Sequence, residues 1–162
     1  MSMKLFDELG GPFDLIFGLP VHPLVVHSAV VLVPLVALAG LAMSYIPSFS
    51  RRYGKVILIA ALVAQVSLFV AKASGESFQE RLGKNIERHA DLGEIAPFTF
   101  IPLLILIYLR WRLDREGANT GSPIVRRLVS ILLVAAAILA LVYIFLVGHS
   151  GADSVWGFVK DL

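Results

Sequence analysis

Not one of the 162 residues is cysteine. That excludes disulfides, thiolate iron–sulfur clusters, covalent c-type haem attachment and a thiol nucleophile in this chain. Charge is scarce as well. Asp, Glu, Lys and Arg make up 16% of the residues, against about a quarter in a soluble domain. The net charge of +2 is too small to point to nucleic acid. No nucleophile with a positioned base, no phosphate loop and no carboxylate pair stands out. Whether the chain is an enzyme stays open, with an electron carrier or a subunit the better fit. No internal repeat or low-complexity run stands out either.

What is there is apolar, 57% of the chain. Leu24 to Ile46 carries no charge and is long enough to cross a hydrocarbon core of about 30 Å. It contains Pro34, and Gly40 and Ser44 form a small-xxx-small pair suited to close helix contact. Val56 to Ala73 is the second span, uncharged until Lys72, with Ala60 and Ala64 at the same small spacing. Gln65 near its middle is costly in lipid unless bonded, so it is expected to face the bundle interior. Ile95 to Trp111 is the third span, and Arg110, Trp111 and Arg112 give it an interfacial end. Leu128 to Gly148 is the fourth, with Ala135 to Ala137 as its small surface. The polar connectors are Ser48 to Gly54 and Asp114 to Pro123.

Ser74 to Glu94 is the longest polar stretch. Phe78, Leu82 and Ile86 recur in it at helix-like intervals, which predicts an amphipathic helix lying on the membrane surface. The fold class expected is therefore all-α: an integral membrane, four-helix antiparallel bundle forming a single domain, with that surface segment between helices 2 and 3.

The N-terminus does not read as a secretory signal, because Lys4 is soon followed by Asp7, Glu8 and Gly10-Gly11-Pro12. It is expected to be retained, either with Phe6, Phe13, Ile16 and Phe17 laying a short segment on the membrane surface or as a loosely ordered tail. Trp156 and Phe158 are expected to rest at the interface in the same way.

Four spans put both termini and the second loop on one side. The first loop carries Arg51, Arg52 and Lys55 and no acid; the third carries Arg110, Arg112, Arg115, Arg126 and Arg127 against Asp114 and Glu116. The opposite side holds ten acids besides its basic residues. The positive-inside rule then places the first and third loops in the cytoplasm and both termini outside, in a multi-pass protein of the plasma membrane.

The same alternation gathers the only four histidines. His22 precedes the first span, His27 lies just inside it, His89 stands shortly before the third and His149 closes the fourth. All four fall at the extracytoplasmic face. If both were helical, His22 and His27 would point about 140° apart and would then not chelate one ion together. Pro23 is expected to begin the helix, which leaves His22 in the loop. His27, His89 and His149 are the expected ligands, with His22 as an alternative. Bis-histidine haem b on facing helices is the first option, with Lys72, Arg81, Lys84 and Arg88 as cations for its propionates. Zinc or copper held by the same four histidines is the second, with Asp91, Glu94 or Asp153 completing the shell. Proton or pH sensing by the histidines alone is the third.

The run Gly18-Leu19-Pro20-Val21-His22-Pro23-Leu24-Val25-Val26-His27 resembles the start of a bacterial membrane family known as domain of unknown function 2231. Ala73-Ser74-Gly75-Glu76, His89 before Leu92-Gly93, and Gly148-His149-Ser150-Gly151-Ala152 are similar to it too. The resemblance runs from about Gly18 to Trp156. It implies four transmembrane helices with histidines at one membrane face. Some relatives are joined to Rieske-type iron–sulfur domains, which implies a redox setting and a haem-binding subunit. The partners expected are the lipid bilayer and a redox protein, with a second copy of the chain left open.

Overall fold

Proline marks where two of the long helices begin. In the computed structural model, which describes residues 15–82, 86–115 and 122–161, the helices are α1 (Val21–Tyr45), α2 (Pro47–Leu82), α3 (Glu87–Arg115) and α4 (Pro123–Trp156). Pro47 and Pro123 open α2 and α4, where the missing N–H costs nothing and the fixed φ suits the first turn. Ser122 caps α4 by accepting from the Ile124 N–H at 3.3 Å. Between α1 and α2 stands Ile46 alone. Its N–H bonds the Ala42 carbonyl at 2.9 Å while its own carbonyl accepts from Ser50 at 3.2 Å. So tight a corner leaves α1 and α2 no option but to run antiparallel.

Several expected boundaries move. Ser48 to Gly54 is no connector but the first turns of α2. The stretch expected to lie on the surface, Ser74 to Glu94, is divided between the end of α2 and the start of α3. Its helix-like apolar spacing was real, but it continues the helices that cross the bundle. Residues 83–85 lie outside the described residues. Gly148 and Gly151 do not end α4, which runs on to Trp156 and into a 3-10 turn, Gly157–Asp161. Leu15–Ile16 and Leu19–Pro20 form a small antiparallel hairpin before α1. Its two corner residues, Phe17 (φ 51°) and Gly18 (φ 78°), are both left-handed, the requirement of a two-residue turn that matches strand twist. Phe6 and Phe13 lie outside the described residues.

The four helices form a ring in chain order, each packed on its two neighbours, with only slight contact across the α1–α3 diagonal. Small residues set the distances. Ala37, Ala61, Ala64 and Ala137 are wholly buried, with Met43, Phe100, Leu103, Ile107 and Leu133 filling the space between them. At Gly40 an added Cβ would meet Leu133 and Leu103 side chains at 3.4 and 3.5 Å. At Gly54 it would fall 2.2 Å from Cδ1 of Trp111. Close approach at small residues is how helices gain van der Waals contact where lipid removes the hydrophobic drive. The outward surface is apolar: Ile59, Leu62, Val66, Ile131, Ile138 and Phe145 are exposed. Each helix is long and apolar enough to span a membrane, yet only 22% to 39% of its most apolar stretch is buried within the bundle. The rest calls for an apolar surrounding.

Several polar groups inside the bundle are partnered across helices. Gln65 does face inward, 7% exposed, and its amide donates to the Pro97 carbonyl at 3.0 Å. Ser28 and Ser67 join α1 to α2 at 3.0 Å. Arg110, at the end of the third span, is buried with Asp114, at 6% and 2% exposure. The pair bonds at 2.7 Å. Arg126 donates to the Leu113 carbonyl at 2.6 Å and approaches Asp114 at 3.4 Å, while Arg110 also bonds Ser130. One acid thus gathers two guanidinium groups and ties the end of α3 to the start of α4.

Candidate functional site

The end of the bundle opposite that arginine cluster holds the histidines. His22 is the second residue of α1, not part of a loop, and Pro23 sits within the first turn behind it. Helical bearing turns its ring toward α2. There His22 Nδ1 lies 2.9 Å from the carbonyl of Ala71 and 3.5 Å from Oγ of Ser74. The ring stacks on Phe78, centroids 5.8 Å apart and planes 23° apart. Gly75 lies beneath it: a Cβ there would stand 3.2 Å from the ring's Cε1.

His89, in the first turn of α3, does the same against α4. Its Nδ1 lies 3.2 Å from the Val147 carbonyl and 3.1 Å from Oγ of Ser150. A Cβ on Gly151 would meet its Cε1 at 2.9 Å. Both serine hydroxyls donate into their own helix. Ser74 donates to Val70 at 2.7 Å and Ser150 to Val147 at 2.9 Å. Each hydroxyl therefore offers its lone pairs, not its proton, to the imidazole. A carbonyl also only accepts. In the neutral ring the proton must then sit on Nδ1, and the Nε2 lone pair has no partner among the described residues. The two rings face each other across the α1–α3 diagonal with centroids 6.2 Å apart and planes 76° apart.

The other two histidines do not join them. His27 is exposed and bonds the Pro23 carbonyl of its own helix. His149 is exposed, its ring 5.9 Å from Phe145. Of the four expected ligands, the structure thus brings His22 and His89 together and leaves His27 and His149 apart from them. The physical reason is helical bearing: His27 is five residues from His22 and points away from the bundle. Among the described residues no three His, Asp or Glu side chains come together in a way that would hold an ion. Glu94 pairs with Lys72 at 3.4 Å and Asp153 pairs with Lys160. Asp91 is exposed. Of the expected cations, Lys72 is engaged by Glu94 and lies over Phe98, 5.9 Å from its centroid. Arg88 is exposed on α3. The Arg81 side chain and Lys84 lie outside the described residues.

Ser74, Gly75, Phe78, Ser150 and Gly151 were not singled out as site residues from the sequence. A signal for four of them was present, as an internal repeat. Ala60, Ala61, Ala64, Ser74 and Gly75 recur as Ala136, Ala137, Ala140, Ser150 and Gly151, at one constant offset. The first helix of each pair follows with an offset of its own: His22, Ala29, Val33 and Val36 correspond to His89, Ala96, Phe100 and Leu103, and the six apolar residues among them are all buried. The repeat hides because its apolar positions interchange freely; it shows once burial picks out which positions to compare.

Comparison with curated proteins gave no match, and comparison with solved structures gave none. The profile of the family described as predicted membrane protein (DUF2231) matches residues 18–160, a range that takes in all four helices and both halves of the histidine pair. The chain belongs to this family of predicted membrane proteins.

Proposed function

We propose that the protein is a small membrane redox subunit that holds a transition metal through Nε2 of His22 and His89, with haem b as the group expected. One observation carries the reading: two imidazoles 6.2 Å apart, each with Nδ1 turned outward onto a neighbouring helix. Two imidazoles that share one ion through Nε2, at about 2.0 Å each, have ring centroids roughly 6 Å apart. A carbonyl bound to the second ring nitrogen is the usual support for a metal-bound histidine. Haem iron would supply one-electron chemistry there. The chain's own part is to present two neutral imidazoles and to close the rest of the bundle against water. By charge distribution the histidine end faces outward, which directs exchange to an extracytoplasmic partner.

A bare ion is the second reading, and the packing favours it. Phe78 covers one face of His22, and Gly75 and Gly151 lie directly against the two rings. A porphyrin enters only if these helix ends part, whereas a single copper ion asks for far less room between the rings. Copper suits two imidazoles better than zinc, which seeks a four-ligand shell. In this reading the protein is a structural or assembly subunit with a metal-stabilised end.

Purification in mild detergent, with an absorption spectrum and elemental analysis of one sample, tests both. Expected is a Soret band, or stoichiometric copper without porphyrin. Either is lost on His22→Ala or His89→Ala and kept on His27→Ala and His149→Ala. A sample with neither group, or a signal indifferent to His22 and His89, overturns the reading.

A further inference from the structure

Helices α1 and α3 run in one direction, α2 and α4 in the other, and like helices lie diagonally across the ring. Two hairpins so arranged are related by a half-turn about the bundle axis. The repeat Ser74-Gly75 and Ser150-Gly151 obeys that relation, and so do the two histidines that rest on it. The same four parts appear twice: a histidine in a helix's first turn, a carbonyl on the next helix, a serine three residues after that carbonyl, and a glycine beside the serine. Each part has a separate physical task. The carbonyl fixes the proton on Nδ1. The serine, its own proton spent on its helix, adds a second acceptor. The glycine removes the Cβ that would push the ring off the helix.

Resting on the His22–His89 reading above, we propose that Ser74-Gly75 and Ser150-Gly151 are twin positioning elements that hold His22 and His89 as Nδ1–H tautomers, with both Nε2 atoms free for a shared ligand. The two elements are not equally tight. Ser150 stands closer to its imidazole than Ser74 does, 3.1 against 3.5 Å, and Gly151 leaves less room than Gly75.

Nitrogen-15 spectra of histidine in the metal-free protein read the tautomer directly, without any bound group. The wild type should show Nδ1–H for both rings. Ser150→Ala should shift the His89 signals alone and Ser74→Ala those of His22 alone, by a smaller amount. Copper affinity, titrated with the metal alone, should fall about 10-fold or more with Ser150→Ala and less with Ser74→Ala. Gly151→Ala should cost more affinity than Gly75→Ala, with helical content unchanged by circular dichroism. An Nε2–H tautomer in either ring of the wild type overturns the proposal, as do tautomers that ignore both serine substitutions. If the tautomers respond as expected but no variant, wild type included, takes up metal, the positioning elements stand and the metal reading falls.

Discussion

At the scale of single residues, the protein separates polar groups that hold the bundle from polar groups that face a vacancy in their bonding. Asp114 belongs to the first kind. Removing it by Asp114→Ala leaves Arg110 buried without its counter-charge, a change that typically costs about 3–5 kcal/mol. Thermal unfolding in detergent should show it as the most damaging of the polar substitutions. Gln65 is the contrasting case. Its amide nitrogen is bonded to Pro97, but its buried Oε1 has no partner among the described residues. The repeat places Leu141 at the corresponding position of α4. Gln65→Leu should therefore change stability by no more than about 1 kcal/mol, since the lost bond is offset by the removal of an unsatisfied acceptor. A larger loss would mean that the Gln65–Pro97 bond braces α3 beside its prolines. That Gln65 points inward was legible in the sequence, because lipid allows it no other stable place. The inward turn of Arg110 was not. It depends on Asp114 one turn on and on Ser130 and Arg126 of another helix, and hydropathy does not register such partners.

At the scale of helices, glycine separates close approach from open surface. Gly54→Ala drives a methyl group into Trp111, and overpacking of this kind costs typically 1–3 kcal/mol, sometimes more. The double variant Gly54→Ala/Trp111→Leu should recover part of the loss, as measured by the same unfolding transition. Gly93→Ala meets nothing within 4 Å, and should be neutral or stabilise α3 by up to about 1 kcal/mol. The four helices themselves were legible from uninterrupted apolar length. Their ends were not. Ser48 to Gly54 reads as a connector and Ser74 to Leu82 as part of a separate surface helix, yet both belong to α2. A helix leaving the apolar layer keeps its backbone bonds whatever its side chains are, so composition marks the edge of that layer and not the end of the helix.

At the scale of the whole molecule, charge divides the two ends. The lack of cysteine makes that division easy to test, because any introduced thiol is the only one. Ser154→Cys at the histidine end should react with a membrane-impermeant maleimide in intact cells, and Ser122→Cys at the arginine end should react only after lysis; the reverse pattern would invert the orientation. The sequence placed all four histidines at one end, since alternation of spans is enough for that. It did not say which two would meet. Ring direction is decided by a few degrees of helical bearing and by the carbonyls of Ala71 and Val147, which no side-chain pattern reveals. The half-turn symmetry has a mechanical consequence. The helices that carry His22 and His89 are a diagonal pair, with far less contact between them than between neighbours in the ring. Anything gripped between the two rings therefore works as a cross-brace, adding a link at the histidine end to two helices whose direct packing is otherwise slight. Loading should slow amide exchange in the first turns of α1 and α3 and leave the arginine end unchanged. A frame tied at its arginine end and braced only by a ligand at its histidine end opens at the histidine end first when that brace is removed.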